Sequence, residues 1–241
     1  MVNAICLTSG GIESSTLAYY LKKKLKVKKL LLLFFDYGQK AREQEEFCAR
    51  RISKDLKCDF QKVEIPWLGQ LSTSFINKQG KAPETKQEDL ENLSKGDEDI
   101  LNWWVPCRNA LFLTIGLAHA ESFFLKKKEK YNVYLGIKKE VYAAMKDNTP
   151  EFLEAMNGIV EHATHHGDYA LEAPLLKYEK EEVVKLGKEL KVPYQFTYSC
   201  YLGAGFEKEM PVHCGKCAAC KLRQYAFQWS LIKDPSSYRN L

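Results

Sequence analysis

Four cysteines near the C-terminus have a spacing typical of a metal site. Cys200, Cys214, Cys217 and Cys220 form the pattern C-x13-C-x2-C-x2-C. A C-x2-C pair places two thiolates on one ion across a tight turn, and structural zinc takes four such ligands. An iron–sulfur cluster is the rival interpretation, but the isolated cysteine lies upstream and no proline follows Cys220. The pattern therefore predicts zinc, with His213 as a bystander because four sulfurs complete the shell.

A second candidate site follows the first predicted strand. A short apolar run at 4–8 leads into a loop rich in glycine and serine, and then into a predicted helix. The loop residues with candidate roles are Ser9, Gly10, Gly11, Glu13, Ser14 and Ser15. Adjacent glycines let several backbone N–H groups face one point, and the helix N-terminus adds its positive dipole end. The loop is predicted to bind phosphate, but a simple capped turn has the same sequence features, and neither GxxxxGK[ST] nor GxGxxG is present.

The composition indicates a globular protein with one domain, or one domain and an appendage. Of the 241 residues, 45% are hydrophobic and 28% charged, which excludes the disordered and fibrous classes. The longest apolar run, at 30–35, is too short to span a membrane, and the start lacks a signal-peptide pattern. A cytoplasmic location is therefore expected. In that reducing compartment, eight cysteines favour metal binding over disulfides.

Two lysine-rich stretches raise the question of nucleic-acid binding. Residues 22–29 read KKKLKVKK and residues 126–130 read KKKEK. Both fall where a predicted helix ends, so solvated lysines that suit the helix dipole are the simpler interpretation. The formal charge of +5 permits an anionic substrate without requiring a polynucleotide.

Strand and helix patterns alternate along most of the chain. Strands are predicted at 4–8, 29–35, 60–65, 131–137 and 171–176, and helices at 14–24, 42–56, 109–124, 151–165 and 179–190. The second strand is continuously apolar, as a parallel strand covered on both faces should be. The alternation predicts an α/β fold with a doubly wound parallel sheet, whose ligands bind at the carboxyl ends of the strands.

We expect this sheet domain to span 1–194 and a zinc-binding tail with a terminal helix to span 195–241. Within the first domain the periodicity breaks down at 66–104, where polar residues dominate. Such a stretch is typical of a lid or a flexible insertion.

The glycine- and serine-rich loop resembles the SGGxDS signature of the PP-loop ATP pyrophosphatases, with Glu13 in place of the aspartate. Those enzymes cleave ATP between its α and β phosphates and transfer AMP to an acceptor. Nearly the whole chain resembles the QueC family, the 7-cyano-7-deazaguanine synthases of the queuosine pathway. The matching segments are 35–40 (FDYGQK), 105–109 (VPCRN), 174–180 (PL-x4-K), 197–201 (TYSCY) and 214–223 (CGKCAACKLR).

The resemblance implies an ATP-dependent ligase. The carboxylate of 7-carboxy-7-deazaguanine would be adenylated by ATP with Mg²⁺, and ammonia would displace AMP to give an amide that a second activation dehydrates to the nitrile. Catalytic roles would fall to Ser9, Arg108 and Lys180, with the two cations stabilising departing pyrophosphate. The implied nucleotide-binding residues are Ser9, Gly10, Gly11, Glu13, Ser14, Ser15, Asp36, Gln39 and Lys40, and the implied substrate-binding residues are Tyr37, Arg108, Asn109 and Asp147. The family also suggests a homodimer.

Several positions depart from the family motifs. Ala41 replaces a histidine, Cys107 a glycine and Val141 an aspartate. These departures leave open a second interpretation, in which the adenylated deazaguanine joins the N-terminal amine of a protein, as in relatives from antiviral defence operons. A third, non-enzymatic interpretation is a zinc-ribbon module that binds nucleic acid through its lysines. The intact serines of the loop at 9–15 that is predicted to bind phosphate, called the phosphate loop below, argue against it.

Overall fold

The computed structural model describes residues 2–78, 80, 82, 84–85, 100–138 and 145–239. The strands used below are β1 (Asn3–Thr8), β2 (Leu30–Asp36), β3 (Asp59–Glu64), β4 (Tyr131–Leu135), β5 (Leu171–Glu172), β6 (Phe206–Glu207), β7 (Met210–His213) and β8 (Ser237–Tyr238). The helices are α1 (Ile12–Tyr19), α2 (Arg42–Leu56), α3 (Trp67–Gln70), α4 (Arg108–Lys127), α5 (Pro150–Gly158), α6 (Val160–Ala163), α7 (Lys180–Glu189) and α8 (Ala218–Ser230).

Five parallel strands form the central sheet, in the order β3-β2-β1-β4-β5. The register places Ile5 beside Leu31 and Val133, so aliphatic side chains fill the centre of the sheet. The strand order reverses between β1 and β4, which is the switch point at which open α/β sheets bind their ligands. The predicted doubly wound parallel sheet is confirmed.

Helices cover both faces of this sheet. On one face Ile5 packs in the same cluster as Leu113 of α4. On the other face Cys6 packs with Leu17 of α1 and Val183 of α7. Because successive residues of a strand point to opposite faces, the unbroken apolar sequences of β1 and β2 supply side chains to both clusters.

The C-terminal tail packs against the sheet domain through α8, which lies beside α7. Arg223 of α8 is 0% exposed and donates hydrogen bonds to Asp234 (3.0 Å), the Thr197 hydroxyl (2.9 Å) and the Tyr194 carbonyl (3.2 Å). Burial acts to raise the pKa of Asp234, but Arg223 holds it below its usual range. Arg223 therefore links α8 to Asp234 in the segment that follows the helix, and to Thr197 and Tyr194 in the segment that precedes it. The predicted boundary after residue 194 stays a prediction.

Several features differ from the predicted elements. The strand predicted at 171–176 is observed only over the two residues of β5, Leu171–Glu172. α1 continues as a π-helical turn over Tyr20–Lys24, where the lysine run begins. The helix predicted at 151–165 is divided into α5 and α6. In the tail, β6, β7 and β8 form a second sheet of three strands.

The predicted insertion at 66–104 is described only in part, since residues 79, 81, 83 and 86–99 lie outside the described residues. At its two ends Leu68, Ile76 and Trp103 are buried in the cluster that contains α4, and the Phe75 N–H donates to the Asn102 carbonyl at 2.9 Å. The prediction of a lid stays a prediction. Among the described residues, no helix is both long enough and apolar enough to cross a membrane.

Candidate active site

The loop after β1 turns directly into α1. Gly10 has a φ of +71°, and a Cβ there would lie 2.5 Å from the Glu45 carbonyl oxygen, so glycine is required. The Ser14 hydroxyl accepts a hydrogen bond from the Ser9 N–H at 3.2 Å and lies 3.2 Å from the Ser9 hydroxyl. The N-cap residue of α1 is Gly11, which has no side chain to cap the helix. An anion can therefore accept hydrogen bonds from N–H groups of the first turn of α1.

Three further helices begin at the same place. α4 begins at Arg108, α7 at Lys180 and α8 at Ala218, and residues from the first turns of these helices and α1 line one cleft with a volume of about 250 Å³. The N-terminal end of a helix carries partial positive charge. Arg108, Lys138 and Lys180 add three cationic side chains to the lining. The cleft is therefore suited to a multiply charged anion.

Glu13, at the position of the aspartate in the SGGxDS signature, forms an ion pair within this cleft. Its Oε1 lies 2.6 Å from Lys180 Nζ, and both side chains are largely buried. Burial acts to raise the pKa of Glu13, but Lys180 and the nearby Lys138 hold it below its usual range. Glu13 therefore stays ionised and fixes the Lys180 ammonium beside the phosphate loop.

Another part of the cleft contains side chains predicted to bind substrate. Arg108 hydrogen-bonds the Tyr37 hydroxyl, and burial raises the pKa of Tyr37 to about 12 although Arg108 opposes the shift. Asn109 Nδ2 donates to the Asp147 carbonyl at 3.1 Å and to Asn148 Oδ1 at 3.0 Å. Burial also raises the pKa of Asp147, against the effect of Arg108. Asn109 thus fixes the 147–148 segment.

Cys107, the residue before α4, has a φ of +53° and is exposed. Glycine adopts this left-handed conformation without the steric cost that a side chain brings. This left-handed backbone explains why the family motif at 105–109, V-P-G-R-N, has a glycine where this chain has Cys107.

The four tail cysteines converge as their spacing predicts. Their sulfur atoms all lie within 4.8 Å of one another. β7 ends just before Cys214, and Cys217 is the residue before α8, so the small sheet and the helix position the thiols. Four sulfurs at this separation fit tetrahedral zinc. His213 lies outside this set, as predicted, and accepts a hydrogen bond from the Ser199 N–H at 3.1 Å.

The cleft brings together most of the residues that the sequence singled out. Its lining includes Ser9, Gly11, Glu13, Ser14, Tyr37, Gln39, Arg108, Asn109 and Lys180. Gly10, Ser15, Asp36, Lys40 and Asp147 are outside this lining. Asp36 pairs with Lys62 at 3.1 Å, and Lys40 donates to the Gly80 carbonyl at 3.3 Å. Val141 lies outside the described residues. The roles assigned to these residues stay predictions.

Two charged residues in the lining, Glu45 and Lys138, were missed by the sequence analysis. A signal for Glu45 was present in α2, because it stands in a stripe with the buried residues Ala41, Cys48 and Ile52 at helical spacing. A carboxylate in an otherwise apolar stripe indicates a site. For Lys138 no comparable signal exists, since it follows β4 as a loop residue.

The two lysine-rich stretches lie at the amino-terminal ends of the strands, opposite the ends that are followed by the cleft residues. Residues 22–29 directly precede β2 and residues 126–130 directly precede β4, so both are at the amino ends of strands. Lys29 pairs there with Glu129 at 2.5 Å, and Lys130 with Asp168 at 2.6 Å. The stretches are therefore separate from the cleft.

A parallel sheet covered by helices, with a glycine- and serine-rich loop at its switch point, defines a doubly wound α/β protein. A family model described as "Queuosine biosynthesis protein QueC" matches residues 3–231, and the chain belongs to this family. The resemblance inferred from the motifs is thereby confirmed.

The relatives named 7-cyano-7-deazaguanine synthase include the following three. The protein of Methanococcus maripaludis (strain C7) is 35% identical, over 98% of this chain and 99% of the relative. The Methanobrevibacter smithii protein is 32% identical over 98% and 97%, and that of Methanothermobacter thermautotrophicus 32% over 99% and 100%. Two solved structures are more distant, each 17% identical over 95% of this chain. They are an NMN synthetase from Francisella tularensis (TM-score 0.42, 84% of that chain) and a 4-thiouridine synthetase–RNA complex with bound ATP (TM-score 0.48, 50% of that chain).

Proposed function

We propose that the protein is an ATP-dependent ligase that adenylates the carboxylate of 7-carboxy-7-deazaguanine and passes the acyl group to ammonia. The observation that carries this proposal is the cleft, where the first turns of α1, α4, α7 and α8 meet the side chains of Arg108, Lys138 and Lys180. A carboxylate is a poor acyl donor because oxide would have to leave, and AMP is a far better leaving group. The names of the relatives support the same product.

The phosphate end of ATP would bind at the loop after β1. The N–H groups of the first turn of α1 and the hydroxyls of Ser9 and Ser14 are donors for phosphate oxygens. Lys180, held by Glu13 at 2.6 Å, would neutralise charge that develops on pyrophosphate as it leaves. ATP enters as its magnesium complex, in which Mg²⁺ offsets part of the phosphate charge. Because Glu13 fixes Lys180 beforehand, little reorganisation is needed during the reaction.

The acyl end would lie near Arg108. Its guanidinium suits a carboxylate, and the Tyr37 hydroxyl and the Asn109 side chain hold neighbouring parts of the lining in place. The rings of Phe35 and Phe112, with centroids 4.1 Å apart, add an apolar surface for a planar base. In this arrangement the substrate carboxylate attacks the α-phosphorus, and pyrophosphate departs towards Lys180.

Zinc in the four-cysteine cluster would be structural. Four thiolates fill a tetrahedral shell, so no position remains for substrate. Ser199, Tyr201 and Ala219 flank the cysteines in sequence and line the cleft. A metal ion held by the cysteines would thus fix this part of the lining. The homodimer suggested by the family resemblance stays a prediction.

The acceptor of the acyl group distinguishes the nitrile synthase from an enzyme that modifies a protein. For the nitrile, the amide formed with ammonia must be activated a second time by ATP and lose its oxygen to AMP. The described residues give no specific support to a protein amine as acceptor. We therefore propose the synthase and make the protein acceptor an outcome of the test.

The test is mass spectrometry of purified protein with MgATP, 7-carboxy-7-deazaguanine and ammonia. We expect AMP and 7-cyano-7-deazaguanine, and neither with the Ser9→Ala variant. If AMP forms without nitrile, and a protein encoded by a neighbouring gene gains the mass of a deazaguanine, the acceptor is that protein. Absence of AMP from every mixture would refute both.

A further inference from the structure

Glu45 brings a carboxyl group into the cleft that no step above uses. It lies in α2 on the stripe of Ala41, Cys48 and Ile52, none of which is more than 1% exposed. The spacing of this stripe turns Glu45 inward, and the residue is part of the lining of the cleft. A carboxylate taken from water costs free energy unless it is hydrogen-bonded or has another role. Its partners therefore indicate what it does.

Gln39 holds the Glu45 carboxyl in one orientation. The Gln39 side chain is 1% exposed, and its Nε2 donates to Glu45 Oε2 at 2.9 Å and to the Phe35 carbonyl at 3.0 Å. Its Oε1 accepts from the Tyr37 N–H at 2.9 Å. With both ends of the carboxamide bound to backbone, Gln39 presents a fixed donor. Glu45 is thereby positioned as an acceptor in the cleft.

Titratable and charged groups on each neighbouring segment act on this carboxyl. They are Arg108 of α4, Asp36 at the end of β2, and Cys200 of the tail. Burial raises the pKa of Glu45 to about 7, an effect that Gln39 and Arg108 offset only in part. A carboxyl with such a pKa both accepts and releases protons near neutral pH.

The other carboxylate in the lining, Glu13, is unsuited to that task. Lys180 binds it at 2.6 Å, and its pKa lies below the usual range. Within the described residues, Glu45 is thus the carboxyl of the cleft that is not engaged by a cation at hydrogen-bond distance.

We propose that Glu45 accepts the proton from the nitrogen that attacks the adenylated carboxyl carbon, an inference that rests on the proposed function. Ammonia forms the C–N bond, and AMP leaves with the electron pair of the C–O bond. The proton that nitrogen loses passes to the Glu45 carboxylate and from there to solvent. Adenylation itself does not require this residue.

The test is the Glu45→Gln variant, whose side chain has the same size and still accepts from Gln39. ATP–pyrophosphate exchange with 7-carboxy-7-deazaguanine reports adenylation alone and should stay near wild type. Amide formation from ammonia should fall by about 10²–10⁴-fold, the usual contribution of a general base. Hydroxylamine should restore acyl transfer, because its less basic nitrogen loses a proton to water after attack. Glu46→Gln, next in α2 and paired with Arg50 and Lys62 at 2.7 and 3.2 Å, is the control and should change none of these rates.

The outcomes separate this inference from the proposed function. If wild-type protein shows no exchange, the proposed function fails. If wild type exchanges but Glu45→Gln loses exchange as well, or transfers to ammonia and hydroxylamine with equal loss, Glu45 has a structural role and the inference is wrong. Unchanged amide formation from ammonia would overturn it too.

Discussion

Lys180 and Glu13 are 167 residues apart in sequence and form an ion pair of 2.6 Å beside the phosphate loop. In the proposed function, this pairing gives Glu13 a role at the position where the signature has an aspartate. The longer side chain of Glu13 reaches Lys180, which stands at the first position of α7. The carboxylate of Glu13 therefore holds the ammonium group of Lys180 beside the loop after β1.

Lys180→Met should lower ATP–pyrophosphate exchange by about 10²–10³-fold, the usual effect of removing one group that stabilises transition-state charge. The matched control is Lys185→Met, an exposed lysine of the same helix, which should leave exchange unchanged. Equal rates for the two variants would show that Lys180 does not act on phosphate.

At the level of the elements, the site depends on close approach between the loop after β1 and the helix α2. Gly10 has a positive φ and lies against the backbone of Glu45. The Gly10 carbonyl also accepts from the Tyr198 N–H at 2.8 Å, which joins the loop to the tail. The loop is thus fixed by α2 and by the tail.

Gly10→Ala should destabilise the protein by about 1–3 kcal/mol, because it adds a strained backbone conformation and a clash with α2. Urea unfolding followed by circular dichroism measures this. Gly158→Ala is the control, since nothing lies within 4 Å of a Cβ at that position. It should change stability by no more than about 1 kcal/mol. A similar loss in both variants would contradict the role given to Gly10.

Most elements of the sheet domain were predictable from periodicity, because their patterns are long. α2 was predicted with its observed bounds, Arg42–Leu56. The strands β6 and β8 have two residues each, too few for a pattern, and their pairing depends on contacts made in the fold. The break between α5 and α6 was missed although Gly158, the last residue of α5, is a helix-end signal in the sequence.

The positions of the loop after β1, of Arg108 and Lys180 in the cleft, and of the cysteine cluster were predictable because each belongs to a compact motif. The roles assigned to these residues stay predictions. Glu45 was missed because its orientation depends on Gln39, whose side chain is fixed by backbone groups of Phe35 and Tyr37. The contact between Gln39 and Glu45 forms only in the folded chain and leaves no pattern in the sequence. The position of Glu45 within the apolar stripe of α2 was nevertheless a signal that could have identified it.

At the scale of the whole molecule, the tail is part of the same core as the sheet. Cys200, Cys217 and Cys220 are buried in the cluster that contains α4, while Phe227 of α8 is buried in the cluster on the other face. Disruption of the four-cysteine cluster should therefore also displace the tail residues that line the cleft.

Cys217→Ser should reduce bound zinc from about one per chain, as a four-thiolate site implies, and lower the thermal midpoint of unfolding. The control is Cys107→Ser, which changes an exposed cysteine outside the cluster and should keep both zinc and stability. Metal analysis and thermal scans measure the two quantities. A brown wild-type protein with iron and sulfide would overturn the zinc assignment in favour of an iron–sulfur cluster.

The most direct test of the proposed adenylation follows oxygen from the substrate into the products. 7-Carboxy-7-deazaguanine labelled with oxygen-18 in its carboxylate is incubated with the protein, MgATP and ammonia, and AMP is analysed by mass spectrometry. Adenylation makes a carboxylate oxygen the bridge to the α-phosphorus, and attack of ammonia breaks the bond between that oxygen and carbon. We therefore expect AMP that carries the label. Label in inorganic phosphate, with ADP as the nucleotide product, would contradict the account, because the carboxylate would then have attacked the γ-phosphorus.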